Sequence, residues 1–124
     1  MGLINNLSSL NPNPVLNLKD VACLVAQGDA VLIDVREPDE WAETGVASCA
    51  VTLPLSELLN GPSEAWTQCL EENRDAELYL YCAAGRRSER AASLLLQQGY
   101  KATNAGSLKD WDEAGLPIRR WTRS

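Results

Sequence analysis

Two short apolar runs, VLIDV (Val31 to Val35) and LYLY (Leu78 to Tyr81), constrain the fold more than any other feature of the chain. Nearly every residue in them is apolar, on both faces of an extended backbone. Such a strand has to be covered on both sides, as strands of a parallel sheet are. Helical sequence separates the runs. Asn17 suits the N-cap of a helix running to about Gln27, with Gly28 as its stop. Pro38 suits the first turn of a short helix holding Trp41. Cys49 to Leu53 reads as a strand and Leu55 to Leu59 as a helical turn. Ser63 suits the cap of a helix from Glu64 to about Glu72, with Ala65, Trp66 and Cys69 facing inward. A stronger helix starts at Ser88 and ends at Gly99, apolar through Ala91, Ala92, Leu94, Leu95 and Leu96. Ala102 to Asn104 reads as a last short strand, and Ser107 as the cap of a helix through Ala114. Alternating strands and helices imply an α/β protein with a mainly parallel sheet.

A chain of 124 residues makes one domain and buries enough surface to fold without a disulfide or a metal. The domain is read as residues 15–118, with a polar tail or docking arm at 1–14 and a basic surface tail at 119–124. A net charge of −6 argues against general binding to nucleic acid or to an anionic membrane. An anion site in this chain has to be a local positive pocket. The first 18 residues hold no Lys or Arg and no long apolar run, so no secretory signal is read there and the cytoplasm is the expected compartment. No later segment is long and apolar enough to span a bilayer.

The chain has four cysteines and no histidine. Cys23, Cys49, Cys69 and Cys82 are widely spaced with no CxxC, so no metal site is expected. Without a signal segment, a disulfide framework is disfavoured too. The lack of histidine removes every Cys–His and Ser–His catalytic pair. Any nucleophile must be activated by other means. Cys23, Cys49 and Cys69 are read as small packing residues.

Cys82 differs from the other three. It ends an apolar strand, at the edge where parallel sheets bind ligands. Ala83, Ala84, Gly85, Arg86 and Arg87 follow, and then a helix. Small residues and glycine let the backbone N–H groups of such a turn point to a common centre. The helix start adds unpaired N–H groups and the positive end of its dipole, and a guanidinium adds an oxyanion contact. Lowering a thiol pKa from about 8.5 to about 6 raises the thiolate fraction at neutral pH roughly 30-fold. The same drop costs about one log unit of nucleophilicity, so the net gain is only a few-fold. Holding an anionic substrate and stabilising charge in the transition state is the better use of this loop.

In the order VLIDVREPDEW (Val31 to Trp41), GVASCAVTLPL (Gly45 to Leu55), YCAAGRRS (Tyr81 to Ser88) and AGSLKDWDEAGLPI (Ala105 to Ile118), the chain resembles a single-domain rhodanese. The resemblance implies a five-stranded parallel sheet with helices on both faces, and a sulfurtransferase needing no metal or organic cofactor. Cys82 would take a sulfane sulfur from thiosulfate or another donor as a persulfide. Ala83, Ala84, Gly85, Arg86 and Arg87 would form the substrate cradle. The sulfur would then pass to cyanide or a thiol, with a protein as another conceivable donor or acceptor. Arg87 is assigned the sulfonate contact, with Arg86 as the alternative at the rim. Asp34 and Arg36 are read as a structural pair, and Trp41, Trp66 and Trp111 as packing residues. The chain departs from the family where Gly45-Val46-Ala47-Ser48-Cys49-Ala50-Val51-Thr52 lacks the usual histidine, second glycine and asparagine. Local repacking is expected there.

Two other functions compete. A Cys-dependent phosphatase or arsenate reductase needs an arginine six residues after the cysteine, where this chain has Ser88. A non-catalytic rhodanese-like interaction module usually lacks the cysteine that is present here.

Overall fold

The computed structural model describes residues 16–123; the segment 1–14, read above as a tail or arm, lies outside the described residues. The main sheet has four parallel strands in the order β3-β1-β4-β5: β1 Ala30–Asp34, β3 Ala50–Thr52, β4 Glu77–Cys82 and β5 Lys101–Ser107. The expected fifth strand is not part of this sheet. Val46–Ala47 (β2) pairs antiparallel with Ile118–Arg119 (β6) as a separate ribbon. Two residues of β2 give it too little edge to join the sheet, and the returning C-terminal segment takes that edge instead. Arg119 is therefore a strand residue, and its Nε and Nη2 donate to the carbonyls of Ser48 and Ala50 at 3.2 and 2.9 Å. Trp121 packs edge-on against Trp41 with ring centroids 5.2 Å apart. These contacts tie residues 119–121 to the domain.

The helices are α1 Leu18–Ala26, α2 Pro38–Thr44, α3 Leu55–Leu59, α4 Glu64–Glu72, α5 Arg86–Gln97 and α6 Leu108–Glu113. Their caps follow local chemistry. The Asn17 side chain accepts the N–H groups of Lys19 and Asp20, Ser63 accepts that of Trp66, and Ser107 forms a reciprocal box with Asp110. Strand alternation then splits the core in two. Ile33, Leu78, Leu80 and Cys82 face α3, α4 and α5, where Trp66, Leu70, Ala91 and Leu95 are buried. Leu32, Tyr79 and Tyr81 face the other way, towards Val21 of α1 and Trp111 of α6. Covering both faces is what makes these strands apolar throughout.

Several details differ from the sequence reading. In α4, Ala65 is exposed, and Leu70 joins Trp66 and Cys69 inside. Leu96 of α5 faces solvent. Cys23 and Cys49 are exposed, so only Cys69 of the three packing cysteines is buried. The last strand is longer than Ala102 to Asn104, because an irregularity opposite Leu80 and Tyr81 lets β5 run on beside Cys82. Helix α5 starts at Arg86, two residues before Ser88, because Gly85 takes a left-handed φ of +90° as its N-cap. Ser88 thereby becomes a buried residue of the first turn. Among the described residues, no helix is long and apolar enough to cross a membrane.

Candidate active site

The chain leaves β1 for β3 on one side and returns to β4 on the other. The connections leaving the carboxyl ends of β1 and β4, to β3 and to β5, therefore diverge at the point where open parallel sheets hold ligands. Cys82 is the last residue of β4 and points to the α5 face. It is buried at the base of a loop whose Ala83 and Ala84 are exposed. The Gly85 N–H points at its Sγ from 3.0 Å. The left-handed Gly85 is what turns this amide back towards the sulfur while α5 begins.

Ser88 is the nearest side-chain group. Its hydroxyl lies 3.4 Å from Sγ and 2.7 Å from Oδ1 of Asn104. One hydroxyl proton serves one acceptor at a time. The shorter contact takes it while Cys82 is a thiol, and a thiolate draws it away. Asn104 is held in turn, with Nδ2 donating to the Gly85 carbonyl at 2.9 Å and Oδ1 accepting the Gly106 N–H at 3.0 Å. Burial pushes the Cys82 thiol up. The Ser88 hydroxyl and the N–H groups of Ser88, Ala84 and Gly85 pull it down and prevail, so the pKa falls below the ordinary thiol value. At buried Cys69, and at the partly covered sulfur of the otherwise exposed Cys49, loss of solvent dominates and the thiols are pushed up. Cys82 is thus drawn in the opposite direction from Cys49 and Cys69 by its surroundings alone.

The two arginines are placed differently. Arg86 is exposed at the rim. Arg87 forms a two-pronged ion pair with Glu40 of α2, Nη1 to Oε1 at 2.7 Å and Nη2 to Oε2 at 2.8 Å. Arg87 holds the Glu40 carboxyl down at about 2, against the partial burial that raises it. The guanidinium assigned to a sulfonate is already occupied by a carboxylate.

Asp34 and Arg36 form a second, fully buried fork below the site. Arg36 Nε contacts Oδ1 and Oδ2 of Asp34 at 3.1 and 3.2 Å, and Nη2 contacts Oδ2 at 2.9 Å. Arg36 also donates to Thr44 Oγ1 and to the Gly45 carbonyl, both at 2.9 Å. It thus fastens the end of β1 to the end of α2. Beside the loop an open groove of about 450 Å³ is lined by Arg36, Thr44, Ala83, Leu108, Lys109 and Ile118, among others. Among the described residues, no group of three or more Cys, Asp or Glu side chains is placed to hold a metal ion.

The Rhodanese-like domain family model matches residues 17–114. The chain belongs to the rhodanese-like domain family. A sulfurtransferase of Allochromatium vinosum is 35% identical over 92 residues, covering 73% of this chain and 78% of that protein. A tRNA uridine(34) hydroxylase of Acinetobacter baumannii is 35% identical over 101 residues, 79% of this chain but only 32% of that protein. This chain therefore spans about a third of the hydroxylases it matches. The human single-domain sulfurtransferase TSTD1 superposes with a TM-score of 0.63 at 33% identity, covering 81% of this chain and 96% of that one.

Ser88, Asn104 and Glu40 escaped the sequence reading as site residues. Ser88 carried a signal, being the sixth residue after Cys82, but it read as a helix cap. Asn104 was a polar residue in a short strand. Nothing local linked Glu40 to Arg87.

Proposed function

We propose that the chain is a sulfurtransferase that moves a sulfane sulfur from thiosulfate or another donor to a thiol or cyanide through a persulfide on Cys82. The observation that carries this reading is the Cys82 Sγ held 3.0 Å from the Gly85 N–H at the start of α5, with its pKa drawn down and no histidine involved. The thiolate attacks the outer sulfur of the donor. The donor S–S bond breaks, its electron pair leaves with sulfite, and Cys82 carries the new S–S bond. An acceptor thiolate or cyanide then attacks the terminal sulfur and returns the Cys82 thiolate. The N–H groups of Ala83, Ala84, Gly85, Arg86 and Arg87 form the cradle for charge on that terminal sulfur, with the positive end of α5 behind them. Arg86, exposed at the rim, is the guanidinium that meets an anionic donor, since Arg87 already holds Glu40. The groove beside Ala83 gives the acceptor a path to the loop. The residue six places after Cys82 is a buried serine, so a tetrahedral phosphate finds no guanidinium there.

Intact mass after incubation with thiosulfate tests this on wild type and Cys82→Ser. One added sulfur atom on wild type, absent from the variant and removed by cyanide, is the expected result. No sulfur from thiosulfate or from a protein persulfide, on a folded chain with a free Cys82 thiol, would refute it in favour of a non-catalytic interaction module.

A further inference from the structure

Glu40 is fixed by parts of the chain that are independent of the loop. It is the third residue of α2, and its Oε1 accepts the Glu37 N–H at 3.1 Å in a capping box. The Glu37 carboxylate in turn accepts the Ser56 hydroxyl at 3.0 Å. Arg87 reaches this anchored carboxylate from the first turn of α5, near enough to Cys82 for the sulfur to favour the guanidinium charge. Each partner is about two-thirds covered, with 35% of the Arg87 side chain and 32% of the Glu40 side chain exposed. The geometry is a bidentate fork, the strongest form this pair takes.

The fork changes the charge that an incoming molecule meets. Arg87 by itself would present a cation beside the thiol. Paired with Glu40, it presents no net charge, and an anionic donor has to approach a fixed carboxylate to reach it. Repulsion from that carboxylate scales with donor charge. We propose that Glu40 is a specificity-determining residue that turns the Cys82 site away from multiply charged donors such as free thiosulfate and towards singly charged or neutral sulfane-sulfur donors. This rests on the reading of Cys82 as the nucleophile of sulfur transfer. Glu40 touches neither the thiol nor the transferred atom; it acts through Arg87 and through its own charge.

Two alkylating agents of similar size separate charge from reactivity at the same sulfur. Iodoacetamide is neutral and iodoacetate carries one negative charge. The readout is the ratio of their rates at Cys82, followed by peptide mass so that the exposed Cys23 and Cys49 do not contribute. Removing the Glu40 carboxylate takes away its repulsion of the anionic reagent and leaves the Arg87 cation unpaired, so Glu40→Gln raises the iodoacetate-to-iodoacetamide ratio roughly tenfold. Glu40→Asp keeps the charge but shortens the reach, so its ratio stays near wild type even if the loop loosens. A merely structural Glu40 would slow both reagents in both variants and leave the ratio where it was. An unchanged or lower ratio in folded Glu40→Gln overturns the proposal. Thiosulfate loading of Cys82, measured beside it, should rise by more than loading from an aryl thiosulfonate, which has one charge fewer. If the alkylation ratio shifts but no donor loads sulfur in any variant, the sulfur-transfer reading fails and the assignment of donor specificity fails with it. If sulfur loads and the ratio does not move, only the role of Glu40 fails.

Discussion

Replacing Ser88 with alanine removes one side-chain donor from the Cys82 sulfur and leaves the backbone donors in place. A hydrogen bond to a charged group contributes about 1.5–3 kcal/mol. At 3.4 Å to a large sulfur atom the contribution falls at or just below the lower end. At about 1.4 kcal/mol per unit, the thiol pKa of Ser88→Ala should rise by about one unit. The assay is the rate of Cys82 alkylation by iodoacetamide as a function of pH. Its inflection should move up by about one unit. The high-pH plateau should rise about threefold, because a more basic thiolate is more nucleophilic at a Brønsted slope of about 0.4–0.5. At a pH below both inflections, the rate should drop about three- to fourfold, the product of those two opposed effects. Stability should fall by only about 1 kcal/mol. Asn104 Oδ1 keeps the Gly106 N–H, and Asn104 Nδ2 keeps the Gly85 carbonyl. An unmoved inflection in a folded variant would refute the assignment of Ser88 to the thiolate. A large stability loss with an unmoved inflection would make its bond to Asn104 the one that matters.

Gly45→Ala should destabilise the fold by about 3 kcal/mol in urea unfolding, from strain and overpacking together. Gly45 has a φ of +80°, and a Cβ there would lie 2.6 Å from the Arg119 carbonyl oxygen. A loss below about 1 kcal/mol would mean that β6 yields without cost. Arg36→Met leaves the Asp34 carboxylate buried without its cation, and should cost about 3–5 kcal/mol by the same measurement. Adding Asp34→Leu should recover much of it; no recovery would assign the cost to the lost bonds to Thr44 and Gly45 instead.

The elements that local chemistry controls were legible in the chain. The caps at Asn17, Ser63 and Ser107, the proline start of α2 and the α4 boundaries all depend on groups within about four residues of each other. The apolar strands announced a sheet covered on both faces, and the strand–Cys–Gly–helix unit placed the nucleophile candidate at the sheet edge. Where the local signal was ambiguous, the reading slipped. Ser88 looked like a cap because serine caps helices, yet Gly85 could take the left-handed conformation and start α5 earlier. Ala65 and Leu96 looked apolar in their helices, but the burial of a helix face depends on what packs against it.

The sequence by itself determined the class of fold, the family and the position of Cys82 at the end of a buried strand. The fold class and the place of Cys82 follow from periodicity, capping and a short contiguous loop, which act over a few residues; the family rests on the resemblance of four motifs in order. Only the tertiary structure decided what surrounds the thiol. Arg87 meets Glu40 across 47 residues, Ser88 meets Asn104 across 16, and Arg119 reaches Ser48 across 71. Such pairings depend on strand order and register, which bring the ends of β1, β4 and β5 together at one edge of the sheet. A residue's charge is written in the chain; whether another side chain already neutralises it is settled only when that partner folds against it.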